Sequence, residues 1–256
     1  MLRVRVIPTL LLRNAGLVKG SRFKNHKYVG DPVNAVKIFN DKLVDELVFL
    51  DIAATASNNE PNYSLLADIA SQAFMPFGYG GGIRSTAHIE KLFRIGVEKV
   101  LINTAAVEVR HLISEASSIA GSQSVVVSMD VKRNVVGGYH MYTRGGTRKM
   151  TIDPVDFARQ MEDAGAGEIL LTAIDREGTG KGFDLDIIHD VATAVSIPVV
   201  ASGGAGSLED FRRAVAVGAS AVAAGDMFTF RGKHKAVLIT YPPYGRLEQL
   251  LNEVLE

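Results

Sequence analysis

One stretch of this chain repeats itself at a fixed distance, and that repeat limits the folds open to it. FMPFGYGGGIRSTAHIEKLFRIGVEKVLINTAA, starting at Phe74, aligns without gaps on SIPVVASGGAGSLEDFRRAVAVGASAVAAGDMF, starting at Ser196, 122 residues further on. Pro76 and Pro198 keep this spacing, as do Gly81 and Gly203, Gly82 and Gly204, and Gly96 and Gly218. Glu46 and Glu168 open matching apolar runs at the same offset, and Pro8 and Asp130 also fall on it. A period this long marks two large halves rather than a solenoid of small units.

Within each half, short apolar runs alternate with amphipathic stretches, the pattern of parallel strands joined by helices. Eight strands are expected, near Val4–Leu10, Glu46–Ile52, Met75–Tyr79, Lys99–Asn103, Ser124–Asp130, Glu168–Thr172, Pro198–Ala201 and Ala221–Ala224. One long helix is expected over Val107–Ala120. Four strands do not close a sheet, whereas eight do, and 256 residues suit one such unit. The expectation is an α/β fold: a single (β/α)8 TIM barrel of two duplicated half-barrels over residues 1–256. No linker or low-complexity run divides the chain.

Lysine plus arginine equals aspartate plus glutamate, 28 of each, so no net field steers the chain toward nucleic acid or an anionic membrane. The absence of cysteine excludes disulfides, thiolate zinc sites and a cysteine nucleophile, and fits a cytoplasmic protein. Arg3 and Arg5 interrupt the first apolar run, which is too short to span a membrane. The six histidines show no metal-ligand spacing, so neither a metal nor another cofactor is expected.

Gly80-Gly81-Gly82 and Ser202-Gly203-Gly204 each end a strand ahead of a helix. Glycines there let backbone N–H groups approach an anion at a helix amino terminus, although a tight turn alone also requires them. Asn103-Thr104 and Gly225-Asp226 would complete the two sites. Asp226 either faces outward and caps a helix or puts a carboxylate where the second phosphate would sit. Asp130 ends the fifth strand, where catalytic acids and bases of such barrels lie, or else holds a loop. Asp51 and Asp175 follow the second and sixth strands similarly, and Asp175-Arg176-Glu177-Gly178-Thr179 could form a self-bonded turn. At the opposite strand ends, Arg5, Glu46, Lys99 and Glu168 bring two cations and two anions together. They form either a structural plug or a gate for something small.

These residues together resemble the cyclase subunit of imidazole glycerol phosphate synthase, from about residue 3 to residue 230. The likeness lies in RVRVIP, LVKG, DELVFLDI, GGGIRS, EKVLINTAAV, GSQSVVVSMD, GAGEILLT, DREGT and IPVVASGGAGSLEDF. The resemblance implies a glutaminase partner whose ammonia crosses the barrel to a phosphoribulosyl formimino carboxamide nucleotide. It implies an imidazole product, a released aminoimidazole carboxamide nucleotide, and no cofactor. It assigns Arg5, Glu46, Lys99 and Glu168 to an ammonia gate and Glu98 and Gln123 to the glutaminase interface. Lys19, Asn103, Thr104, Asp130 and Ser202 would line the substrate site.

The sequence departs from that family at Leu11, where the family has a second aspartate, and at Leu101, which replaces a small polar group. It also departs at Asp226, where serine is usual, and in the tail from about residue 231. Leucine transfers no proton, so the two-aspartate scheme lacks one of its groups. These changes look like the paralogues of bacterial surface-polysaccharide gene sets, which the resemblance implies deliver ammonia to a sugar. A non-catalytic scaffold that activates a glutaminase is the third reading.

Overall fold

A computed structural model describes residues 4–109, 111–232 and 234–252. Its central element is a closed parallel barrel of strands β1 (Arg5–Arg13), β2 (Leu47–Asp51), β3 (Phe77–Gly80), β4 (Lys99–Ile102), β5 (Val125–Arg133), β6 (Glu168–Ala173), β7 (Val199–Ser202) and β8 (Ala221–Ala224). Each strand pairs with its sequence neighbours, and β8 returns to β1 through Ile7 opposite Ala223, which closes the ring. This is the (β/α)8 barrel expected from the repeat.

Strand alternation sorts the side chains into two layers. Ile7, Val48, Leu50, Leu101, Val126, Leu170, Val200, Ala221 and Ala223 form an inner cluster filling the lumen. Val6, Leu10, Phe49, Val127, Ile169 and Val222 point outward and join the larger cluster beneath the helices. Helices begin where the sequence supplies caps. Asp31 accepts from Asn34 N (2.8 Å) ahead of Pro32, and Asp153 from Val155 N (2.8 Å) ahead of Pro154.

The repeat is visible as matched contacts. A Cβ on Gly81 would meet the Asp51 carbonyl at 2.5 Å, and one on Gly203 the Ala173 carbonyl at 2.7 Å, positions that are again 122 residues apart. Gly96 and Gly218 likewise pack on Ala70 and Ala192. Helices Thr86–Arg94 and Leu208–Ala216 start from Ser85 and Ser207 in the same backbone conformation. The offset fails between β1 and β5. Pro8 shares its face with Val6 and Leu10, outside the barrel, whereas Asp130 lies on the inner face with Val126. Pro8 and Asp130 are therefore not structural equivalents, because an odd shift separates the registers of those two strands.

Two long strands continue into hairpins that periodicity did not indicate. β1 turns at Asn14-Ala15 into Gly16–Ser21, which turns at Arg22-Phe23 into Lys24–Gly30. β5 pairs with Tyr139–Thr143. The expected helix over 107–120 is two, Thr104–Glu108 and Leu112–Ala120, divided where Val109 leaves helical backbone at φ −125° and ψ 81°. After β8 the chain forms a short hairpin, Phe230–Arg231 with Ala236–Val237, and a final helix, Tyr244–Asn252. Leu247 and Leu251 of that helix are buried in the outer core against helix Leu208–Ala216.

Candidate active site at the carboxyl ends of the strands

At the mouth of the barrel Asp130 faces inward and is buried. Asn103, at the end of β4, donates through Nδ2 to Asp130 Oδ2 (3.2 Å) and to the Ser128 carbonyl (2.8 Å). Burial, and then the negative charge of Glu177, push the Asp130 carboxyl up to about 7. Such a carboxyl exchanges a proton near neutral pH, as a general acid or base must. Thr104 Oγ1 donates to Asn103 Oδ1 (3.2 Å) and accepts from Arg144 N (3.0 Å), which ties the hairpin after β5 to this corner.

Opposite Asp130, β1 brings Leu11 to the inner face, next in register to Leu50. The position therefore points into the mouth and carries no ionisable group. Asp51 does not extend the acid pair, because its Oδ1 accepts from Ala53 N (2.9 Å) and Ala54 N (3.0 Å) in a local turn.

Lys19, carried by the first hairpin, is buried and ion-paired to Glu177. A Cβ on Gly225 would lie 2.6 Å from its Nζ, so the ammonium sits beside the end of β8. The Asp175–Thr179 segment is a self-bonded turn, with Thr179 N and Oγ1 both on the Arg176 carbonyl (3.0 and 2.6 Å). That turn nonetheless directs the Glu177 side chain into the site. Asp175 Oδ1 and Thr9 Oγ1 are buried without partners among the described residues.

The two glycine loops flank the mouth. Gly81, Gly82, Gly203 and Gly204 all have positive φ, between 69° and 129°, which a side chain would strain. Asp226, in the first turn of helix Asp226–Thr229, makes no capping bond. It pairs instead with Lys235 of the tail, at 3.2 and 3.3 Å. Neither orientation expected for Asp226 anticipated that partner.

At the other end of the lumen the four floor residues form a closed ring. Arg5 bonds both Glu46 and Glu168, and Lys99 Nζ reaches Glu46 Oε2 (3.0 Å) and Glu168 Oε2 (2.8 Å). Burial opposes the Arg5 charge, but the bonds and charges of Glu168 and Glu46 outweigh it and raise its pKa. Leu101 stands directly above Lys99 and packs onto Gly78 and Gly80, filling the space those glycines leave. Glu98 and Gln123 are exposed at this same end, ahead of β4 and β5.

A family described as histidine biosynthesis protein matches residues 5–235. The chain belongs to that family. It is 51% identical over 252 residues to a protein of Pseudomonas aeruginosa provisionally named imidazole glycerol phosphate synthase subunit hisF2, covering 97% of this chain and 99% of that one. It is 46% identical over 247 residues to a hisF3 counterpart of Vibrio vulnificus, also provisionally named, covering 94% of each. The imidazole glycerol phosphate synthase subunit HisF of Thermobifida fusca is 45% identical over 234 residues, covering 90% of this chain and 91% of that one. Among the described residues of this histidine biosynthesis family member, no three His, Cys, Asp or Glu side chains are grouped to hold a metal. No helix among them is long and apolar enough to cross a membrane.

Proposed function

We propose that this chain is the ammonia-accepting, cyclase-type synthase subunit of a glutamine amidotransferase of the imidazole glycerol phosphate synthase kind. Ammonia released by a glutaminase at the floor passes the Arg5–Glu46–Lys99–Glu168 ring, crosses the lumen and reaches a phosphorylated acceptor at the mouth. Glu98 and Gln123 lie at the glutaminase-facing end. The Gly81-Gly82, Asn103-Thr104 and Ser202-Gly203-Gly204 segments, with Gly225 and Lys19, hold the acceptor.

The observation that carries this reading is the alignment, along one lumen, of a charged ring at one end with a buried carboxyl at the other. Asp130 titrates near 7 and so can take a proton from attacking ammonia and return it to a leaving nitrogen. Lys19, positioned by Glu177, supplies positive charge at the end of β8.

Leu11 favours a second reading, a paralogue in which the ammonia goes to a sugar acceptor. Ring closure by two carboxylates has only one here. Growth of a cyclase-deficient host without histidine, restored by this chain alone, would exclude the sugar reading.

The test of the main reading is purified protein with ammonium chloride and the phosphoribulosyl formimino carboxamide nucleotide, followed by appearance of the imidazole product. The expected result is slow ammonium-dependent turnover that Leu11→Asp raises by about 10²-fold or more, the worth of a general acid or base. No ammonium-dependent product from either protein would overturn it.

A further inference from the structure

The repeat that builds the barrel leaves its two halves unequal inside the lumen. Lys99, Leu101 and Asn103 at β4 correspond, 122 residues on, to Ala221, Ala223 and Gly225 at β8. Strand alternation turns each of these positions inward.

On the first-half side the lumen is filled. Leu101 Cδ1 lies 2.8 Å from where a Cβ on Gly78 would stand, and Leu50 Cδ2 lies 2.9 Å from that of Gly80. The space left by the two glycines is taken by leucine.

On the second-half side the inner positions of β8 carry one methyl each, or none. Arg5 of the floor ring is in register with Ala221, and Ile7 with Ala223. Gly225 follows, its absent Cβ 2.8 Å from the Thr9 carbonyl. This run of small residues, bordered by β1, extends from the ring to the mouth.

Thr9 of β1 stands along it. It lies on the inner face between Ile7 and Leu11 and is 8% exposed, and its Oγ1 is buried with no hydrogen-bond partner among the described residues. Its surroundings are apolar, with Val48 in register on β2. The other unpaired buried oxygens lie elsewhere: Tyr79 faces the helices, Asp175 follows β6, and Asp184 begins helix Leu185–Ala194. A buried hydroxyl is costly to leave unpaired, so one aimed into a lumen calls for a guest.

Ammonia fits this hydroxyl better than ammonium. Thr9 Oγ1 can donate to the nitrogen lone pair, which ammonium lacks, and the apolar surroundings penalise the ion. We infer that ammonia crosses the barrel along the β1–β8 wall and is held on the way by Thr9 Oγ1. The inference rests on the ammonia reading and deepens it, by assigning the side of the lumen used and the group that binds there.

Two measurements test it. A crystal structure of the full chain reads the site without turnover: one water-sized molecule should lie within hydrogen-bond distance of Thr9 Oγ1 and be lost in Thr9→Val, which keeps the shape and removes the hydroxyl. The chain bound to a glutaminase subunit, given the nucleotide acceptor and amide-15N glutamine in excess unlabelled ammonium, reads passage as the ratio of 15N to unlabelled product. Thr9→Val should lower that ratio by about threefold or more, the worth of one hydrogen bond, and Thr9→Ser should restore it. Leu101→Val, which trims the opposite wall, should leave it unchanged.

An empty site at Thr9 would overturn the inference whatever the turnover. Equal ratios in wild type and Thr9→Val would mean a structural water only and overturn it too, as would a ratio raised by Leu101→Val. Wild-type product at the bulk label, or no product, is a different failure: it removes the ammonia reading and this inference with it.

Discussion

On the proposed function, Asp130 is where the chemistry and the stability of this barrel meet. In the folded chain its carboxyl keeps a proton up to about pH 7, whereas in the unfolded chain it loses it near 3.9. Between those values the folded state holds more protons, so stability falls as pH rises through the window and levels off above it. Asp130→Asn removes that burden. The variant should be about 2–4 kcal/mol more stable than the wild type at pH 8 and nearly equal to it at pH 3.5, by denaturant unfolding at each pH. Its ammonium-dependent turnover should drop by about 10²-fold or more. Equal stability at both pH values would mean that the carboxyl is solvated. Asp130 was legible in the sequence through its strand position, and Lys19 only through the resemblance. The Lys235 partner of Asp226 and the capping box of Ser207 with Asp210 were not. Each depends on where a turn or a tail brings a side chain, which periodicity does not encode.

Strand and helix positions followed the apolar pattern closely, since each barrel strand is buried on both faces. The hairpin after β1 was hidden for a physical reason. Its turns use Asn14-Ala15 and Arg22-Phe23 with φ between 50° and 62°, a conformation normally announced by glycine. The glycine loops, by contrast, were legible, and their equivalence is testable. Gly81→Ala and Gly203→Ala each force a Cβ against a backbone carbonyl at positive φ. Each should lower stability by about 1–3 kcal/mol, and by similar amounts, in thermal unfolding. A neutral result at either would show that the loop relaxes and that the two halves do not share this constraint.

At the scale of the whole molecule, the duplicated barrel encloses one lumen with an ion-paired floor and a buried carboxyl, Asp130, at its mouth. The tail that departs from the family pattern is part of this body. Tyr241 donates to the Val6 carbonyl (2.9 Å), its ring packs on Phe228, and Leu247 is buried. Leu247→Ala should cost about 2–5 kcal/mol, the usual effect of emptying a leucine site in a core, read from denaturant unfolding. The two ends of the lumen are linked only if ammonia passes between them, and isotope labelling reads that passage directly. The chain bound to a glutaminase subunit would be given the nucleotide acceptor and amide-15N glutamine, in excess unlabelled ammonium. Passage through the barrel predicts product whose new nitrogen is mostly 15N. Product labelled only to the level of the bulk ammonium would contradict it.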